Sequence, residues 1–106
     1  MGARIYHQPR VAWDLARIVA SLATSEDDLY VWFSTRVGEL LGPSYRRHLY
    51  DTRARLATST RDDAPLVEAG LWRARLEDVL RGQADLAEDL HILRLDAASR
   101  LARRPG

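Results

Sequence analysis

The sequence predicts an all-α protein, a compact bundle of about five helices in a single domain. Two observations carry that expectation. Leucine and alanine number sixteen and fifteen, against nine valines and isoleucines together, an excess of strong helix formers over β-branched residues. Apolar residues also recur at helical spacing in five stretches, each bracketed by cap, glycine or proline signals. At 106 residues the chain can bury one core and not two.

The opening "MGARIYHQ" shows no periodicity and reads as a flexible arm over residues 1–8, leaving 9–103 as the helical domain. Pro9 suits a first-turn position, and Val11, Leu15, Ile18, Val19 and Leu22 then fall on one face of a first helix. In "TSEDD", Ser25 is placed to cap the next helix, with acids in its first turn facing the positive end of the dipole. The second helix turns Leu29, Phe33, Val37, Leu40 and Leu41 inward and ends at Gly42. A third begins at Pro43 or Ser44 and aligns Tyr45, Leu49, Thr52 and Leu56. "ATSTRDDAP" is a polar loop closing on Asp63 as a cap and Pro65 in a first turn. The fourth helix puts Leu66, Ala69, Trp72, Leu76, Val79 and Leu80 on one side until Gly82 interrupts it. The fifth aligns Leu86, Leu90, Leu93, Ala97 and Leu101.

Composition excludes several classes of function. Net charge is +1, so no global field draws the chain to nucleic acid or anionic lipid. The absence of cysteine removes disulfides, thiol catalysis and thiolate metal sites. No uncharged apolar run is long enough to span a bilayer, and no signal-like pattern opens the chain, so a cytoplasmic location is expected. All sixteen basic residues are arginine, which reads as codon usage of a GC-rich genome rather than selection for phosphate.

The stretch "LLGPSYRRHLYDTRARL" poses the sharpest alternative, a helix-turn-helix whose second helix reads DNA with Arg46, Arg47, Arg53 and Arg55. Residues 43–61 do net +4, yet residues 62–90 net −5. A recognition helix gathers its contacts on one exposed face. Here the four arginines scatter around the helix, and Arg47, Asp51 and Arg55 form an i, i+4, i+8 ladder of the solvated kind. Nucleic acid is therefore the second choice.

Catalytic chemistry has little to work with. Glu88 and His91 have the i, i+3 spacing of di-iron carboxylate bundles, but such a site needs two pairs and two further carboxylates. Both also turn away from the apolar stripe of their helix. Glu77 and Asp78 diverge by about 100° on a helix and read as solvated pairs with Arg81 and Arg75. His7 and His48 have no base-orienting neighbour in sequence, and no glycine-rich phosphate loop is present. No enzyme activity, cofactor or metal is expected.

The informative anomaly is apolar residues opposite the core stripes. Trp13, Ala16 and Ala20 lie across from the inner face of the first helix. Val67, Leu71 and Ala74 do so on the fourth, and Ile92 and Leu95 on the fifth. One such residue per helix is ordinary surface. Three helices with second apolar faces predict either a helix buried all round or a partner surface. Trp13, Val67, Leu71, Ile92 and Leu95 are the expected partner-binding residues, for another protein or a second copy.

From about residue 30 to 95 the chain also resembles a family of small helical segments common in actinobacterial proteins of unknown function. Trp72, Arg73, Arg75, Leu76, Asp78 and Leu80 in "LWRARLEDVL" carry the likeness, with "LAEDLHIL" after it and "RRHLYDTRARLAT" before it. Such segments accompany other domains, so the resemblance implies an accessory or adaptor module without activity of its own.

Overall fold

The structure, a computed structural model, describes residues 6–103. Five helices follow one another: α1 (Gln8–Leu22), α2 (Asp27–Leu41), α3 (Pro43–Thr58), α4 (Ala64–Gly82) and α5 (Leu86–Ala102). No strand occurs among the described residues. Of the arm expected over residues 1–8, the first five residues lie outside the described ones. Tyr6 packs against the core and Gln8 already belongs to α1.

Helix α1 is the hub. It packs along α4 and along α5, while α2 rests on α5 and α3 on α4. Val11, Leu15, Val19 and Leu22 are buried as their spacing requires, and Ala12 and Ala16 are fully buried as well. Ala12 and Ala16, four residues apart, lie on the same side of the helix and let a neighbour approach closely there. The second apolar face of α1 is thus mostly interior: Ala16 is sealed and Ala20 half-covered.

Glycine and proline set the joints. Pro9, Pro43 and Pro65 all sit in first turns. Gly42 alone joins α2 to α3, with φ at +106° and ψ at 162°, a conformation only glycine adopts cheaply. Two expected caps act differently. Ser25 does not cap α2; Glu26 occupies that position, and the Ser25 hydroxyl donates to the Leu22 carbonyl at 2.6 Å, closing α1 instead. Asp63 precedes α4 but makes no side-chain cap bond, because Arg61 holds its carboxylate through two bonds of 2.8 Å. That pairing holds the Asp63 carboxyl below its ordinary range.

Helix α3 has only Leu49 and Thr52 buried, so apolar burial alone cannot seat it. Polar bonds do the positioning. The Trp72 indole donates to the Thr52 hydroxyl at 2.8 Å, and that hydroxyl donates to the His48 carbonyl at 2.9 Å. Arg55 reaches across to Glu68 of α4 with two parallel bonds of 2.8 and 2.9 Å. The Glu68 side chain is only 8% exposed. On the other flank the Tyr30 hydroxyl donates to the Leu49 carbonyl. Burial pushes the Tyr30 phenol well above its usual range, against the opposing pull of Arg53, whose guanidinium lies 4.8 Å from the ring centroid.

The inner stripes agree with the sequence expectation with one exception. Leu66, placed inward by its spacing, is 70% exposed. It lies in the first turn of α4.

Two stability outcomes follow. Leu76→Ala and Leu90→Ala, both at sealed positions, are each expected to lose about 2–5 kcal/mol in urea unfolding. Thr52→Val keeps the shape but leaves the Trp72 indole without its acceptor, at a cost of about 1–3 kcal/mol. Parity with wild type in the same titration would show that the polar bond is dispensable.

Candidate functional site

The expected partner residues divide into two groups. Val67, Leu71, Ile92 and Leu95 are between 47% and 55% exposed, as second apolar faces on α4 and α5. Trp13 is half-buried instead. The Arg17 guanidinium stands 4.8 Å from its ring centroid and that of Arg73 5.9 Å. A Trp flanked by two cations at the boundary of the core is a wall residue rather than a projecting knob.

What it walls is a groove of about 550 Å³ between α1 and α4. The two helices run antiparallel here. Gln8 and Pro9 lie beside Glu77 and Arg81, and Trp13 lies beside Gly70 and Arg73. On α4 the residues Leu66, Gly70, Arg73 and Glu77 share one stripe by helical spacing. Gly70 is its floor. A Cβ added there would meet nothing within 4 Å, so no packing inside the fold requires a glycine.

The charges on the groove have a definite polarity. Arg10 bonds Asp14 at 3.3 Å, with the guanidinium 75% exposed and the carboxylate 22%. Arg73 bonds Glu77 at 3.3 Å, at 48% and 22%. In each pair the cation is the outer partner, so an approaching surface meets guanidinium first.

Other candidates resolve differently. Arg53 donates to the Ser25 carbonyl at 3.1 Å and to Asp27 at 2.6 Å, and Arg55 is held by Glu68. The hydrogen bonds from Glu68 keep the Arg55 guanidinium charged beyond its already high affinity for protons. Neither rung of the expected Arg47–Asp51–Arg55 ladder forms an ion pair, and Arg55 turns instead to Glu68 on the neighbouring helix, a bidentate and more buried partner. Arg46 packs over the Tyr50 ring at 6.0 Å and, with Arg47, is exposed. A single residue links α2 and α3, shorter than the three- or four-residue turn of a helix-turn-helix. A second cavity, of about 270 Å³, lies where α3 meets α4, and its Arg55 and Arg61 both bond carboxylates within the fold.

Glu88 is exposed, and His91 packs against Tyr6 with ring centroids 5.0 Å apart. Among the described residues no three His, Asp or Glu side chains gather as metal ligands would. The pairs expected on α4 are exchanged: Glu77 takes Arg73 and Asp78 takes Arg81, because Arg75 turns over the Trp72 ring at 5.2 Å. No helix among the described residues is long and apolar enough to cross a membrane. The chain matches no protein-family model, and comparison with curated proteins and with solved structures finds no match.

Sequence reading names Trp13 as a partner residue on an outward face of α1, does not foresee a groove, and passes over Arg10 and Gly70. The available signal is a glycine in the middle of a strong helix, in register with Leu66, Arg73 and Glu77. Its stability consequence is direct. Since the added methyl meets open space, Gly70→Ala is expected to stabilise the isolated chain by up to about 1 kcal/mol. That corresponds to a rise of roughly 4–8 °C in thermal midpoint for a domain of this size. A fall in midpoint would show that the glycine serves the fold itself.

Proposed function

We propose that this chain is a non-catalytic protein-interaction module, acting as an adaptor or by self-association. The observation that carries the reading is the exposure of Val67, Leu71, Ile92 and Leu95 on two helices whose opposite faces already fill the core. Outward leucines and isoleucines at helical spacing gain from covering what the core leaves open. The groove beside Trp13 supports the same reading, since helices dock into grooves through such anchors. A DNA-reading role for α3 ranks below it. Two of its four arginines are engaged within the fold, which leaves Arg46 and Arg47 as phosphate contacts.

The test separates surface from core. In the double variant Leu71→Ser/Leu95→Ser, association measured by light scattering should fall. The thermal midpoint of the dilute protein should stay close to wild type, as for surface changes within about 0.5 kcal/mol. A wild-type protein that binds nothing, with the double variant unfolding as readily as Leu76→Ala, would remove the reading.

A further inference from the structure

The groove and the outer face of α5 have matching chemistry. Asp85, just before α5, and Glu88 and Asp89 in its first turns are exposed, followed by exposed Ile92 and Leu95. Among the described residues none of these three carboxylates has an ion-pair partner. The α1–α4 groove offers the complement: outward guanidiniums at Arg10 and Arg73, the Trp13 wall and the bare floor at Gly70, with the exposed Leu66 one turn beyond it on the same stripe of α4. We infer that a second copy of this chain lays its α5 in the α1–α4 groove. This rests on the interaction-module reading and names its partner.

The register agrees on all three helices. Trp13 and Gly70 line the same groove, and in the antiparallel pair Arg10 and Arg73 lie toward the same end of it, three residues from each. On α5 the step from Ile92 back to Asp89 or Glu88 is three or four residues. Ile92 over Gly70 against Trp13 therefore brings both carboxylates to the Arg10–Arg73 end, about one helical turn along. In the other direction Leu95 reaches the turn of Leu66. Glycine at the floor lets the Ile92 side chain approach the α4 backbone closely, as no larger residue there would. Glu77, the carboxylate at the far end, is occupied by Arg73 and lies beside Arg81.

Both halves of the contact adjoin on one protomer. Asp14 is bonded by Arg10 of the groove and, at 3.6 Å, by Arg94 of α5. Tyr6, next to the groove residue His7, packs on His91 of α5. A two-fold operator can thus seat each α5 in the other protomer's groove at once, giving a closed dimer rather than a filament.

The test is solution mass across a concentration series, by sedimentation or light scattering, at low and high salt. Wild type is expected to dimerise, more weakly at high salt because the pairs are exposed. Gly70→Leu fills the groove from a position where a Cβ meets nothing, so it should be monomeric with an undiminished thermal midpoint at dilution. Arg10→Glu/Arg73→Glu and Glu88→Arg/Asp89→Arg should each be monomeric, and their mixture should re-form a heterodimer. Folded variants are confirmed by that rescue. A wild-type protein monomeric throughout would overturn the pairing. So would a dimer lost in Leu71→Ser yet indifferent to Gly70→Leu and to both charge reversals, although that result would leave the interaction module standing.

Discussion

One hydrogen bond, from the Trp72 indole to the Thr52 hydroxyl, fixes the geometry on which the rest of the bundle depends. Helix α3 is charged, short of apolar residues, and would float if hydrophobic burial were its only anchor. A buried indole N–H must find an acceptor, and Thr52 is the residue of α3 that provides one. The Arg55–Glu68 pair then closes the same interface from its rim, which keeps the buried carboxylate from being left uncompensated. With α3 held to one side of α4 through Thr52 and Glu68, the stripe of Gly70, Arg73 and Glu77 borders α1, and Val67, Leu71 and Ala74 face out.

The position of α1 decides which second apolar faces are structural. Helix α1 packs between α4 and α5 and buries six residues, more than any other helix. Its buried alanines are consumed by close packing, so the anomaly read in α1 is interior chemistry. Helices α4 and α5 each touch α1 and one member of the α2–α3 hairpin, which leaves each with an outer face. The apolar residues there have no internal use. The distinction between a structural second face and a partner surface is thus drawn helix by helix, by how much of that face the neighbouring helices cover.

Helix boundaries and inner stripes were legible because period, glycine and proline act locally. Gly42, Pro43 and Pro65 mark their joints from neighbouring residues alone. Legibility failed where a side chain had two possible partners and the choice was tertiary. Ser25 could cap α2 or close α1, and the turn geometry favoured the Leu22 carbonyl. Arg55 could pair within its helix or reach Glu68, and burial favoured the longer-range bond. Tyr30 and Ser34 are sealed although polar, and a stripe drawn from apolar residues passes over them. Only Trp13 among the groove residues was legible as a partner residue, because Arg10, Arg73 and Glu77 read as solvated charge and Gly70 offers no side chain.

Gly70 shows why a stable fold can carry a residue that weakens it. Gly42 is required by its backbone angle. Gly70 has no such angle. It sits in the middle of α4, where glycine costs about 1 kcal/mol relative to alanine, and nothing in the chain closes over it. A local rule broken without internal compensation points to a need outside the isolated fold. Around it the need has a recognisable form. Trp13 gives an apolar wall, and the carboxylates that could neutralise Arg10 and Arg73 lie deeper than the guanidiniums they hold. The ion pairs set both cations in place without cancelling them at the surface. A preset cationic rim over a bare helix backbone binds best a helix with carboxylates one turn from a branched apolar residue. The outer face of α5 carries that pattern at Glu88, Asp89 and Ile92.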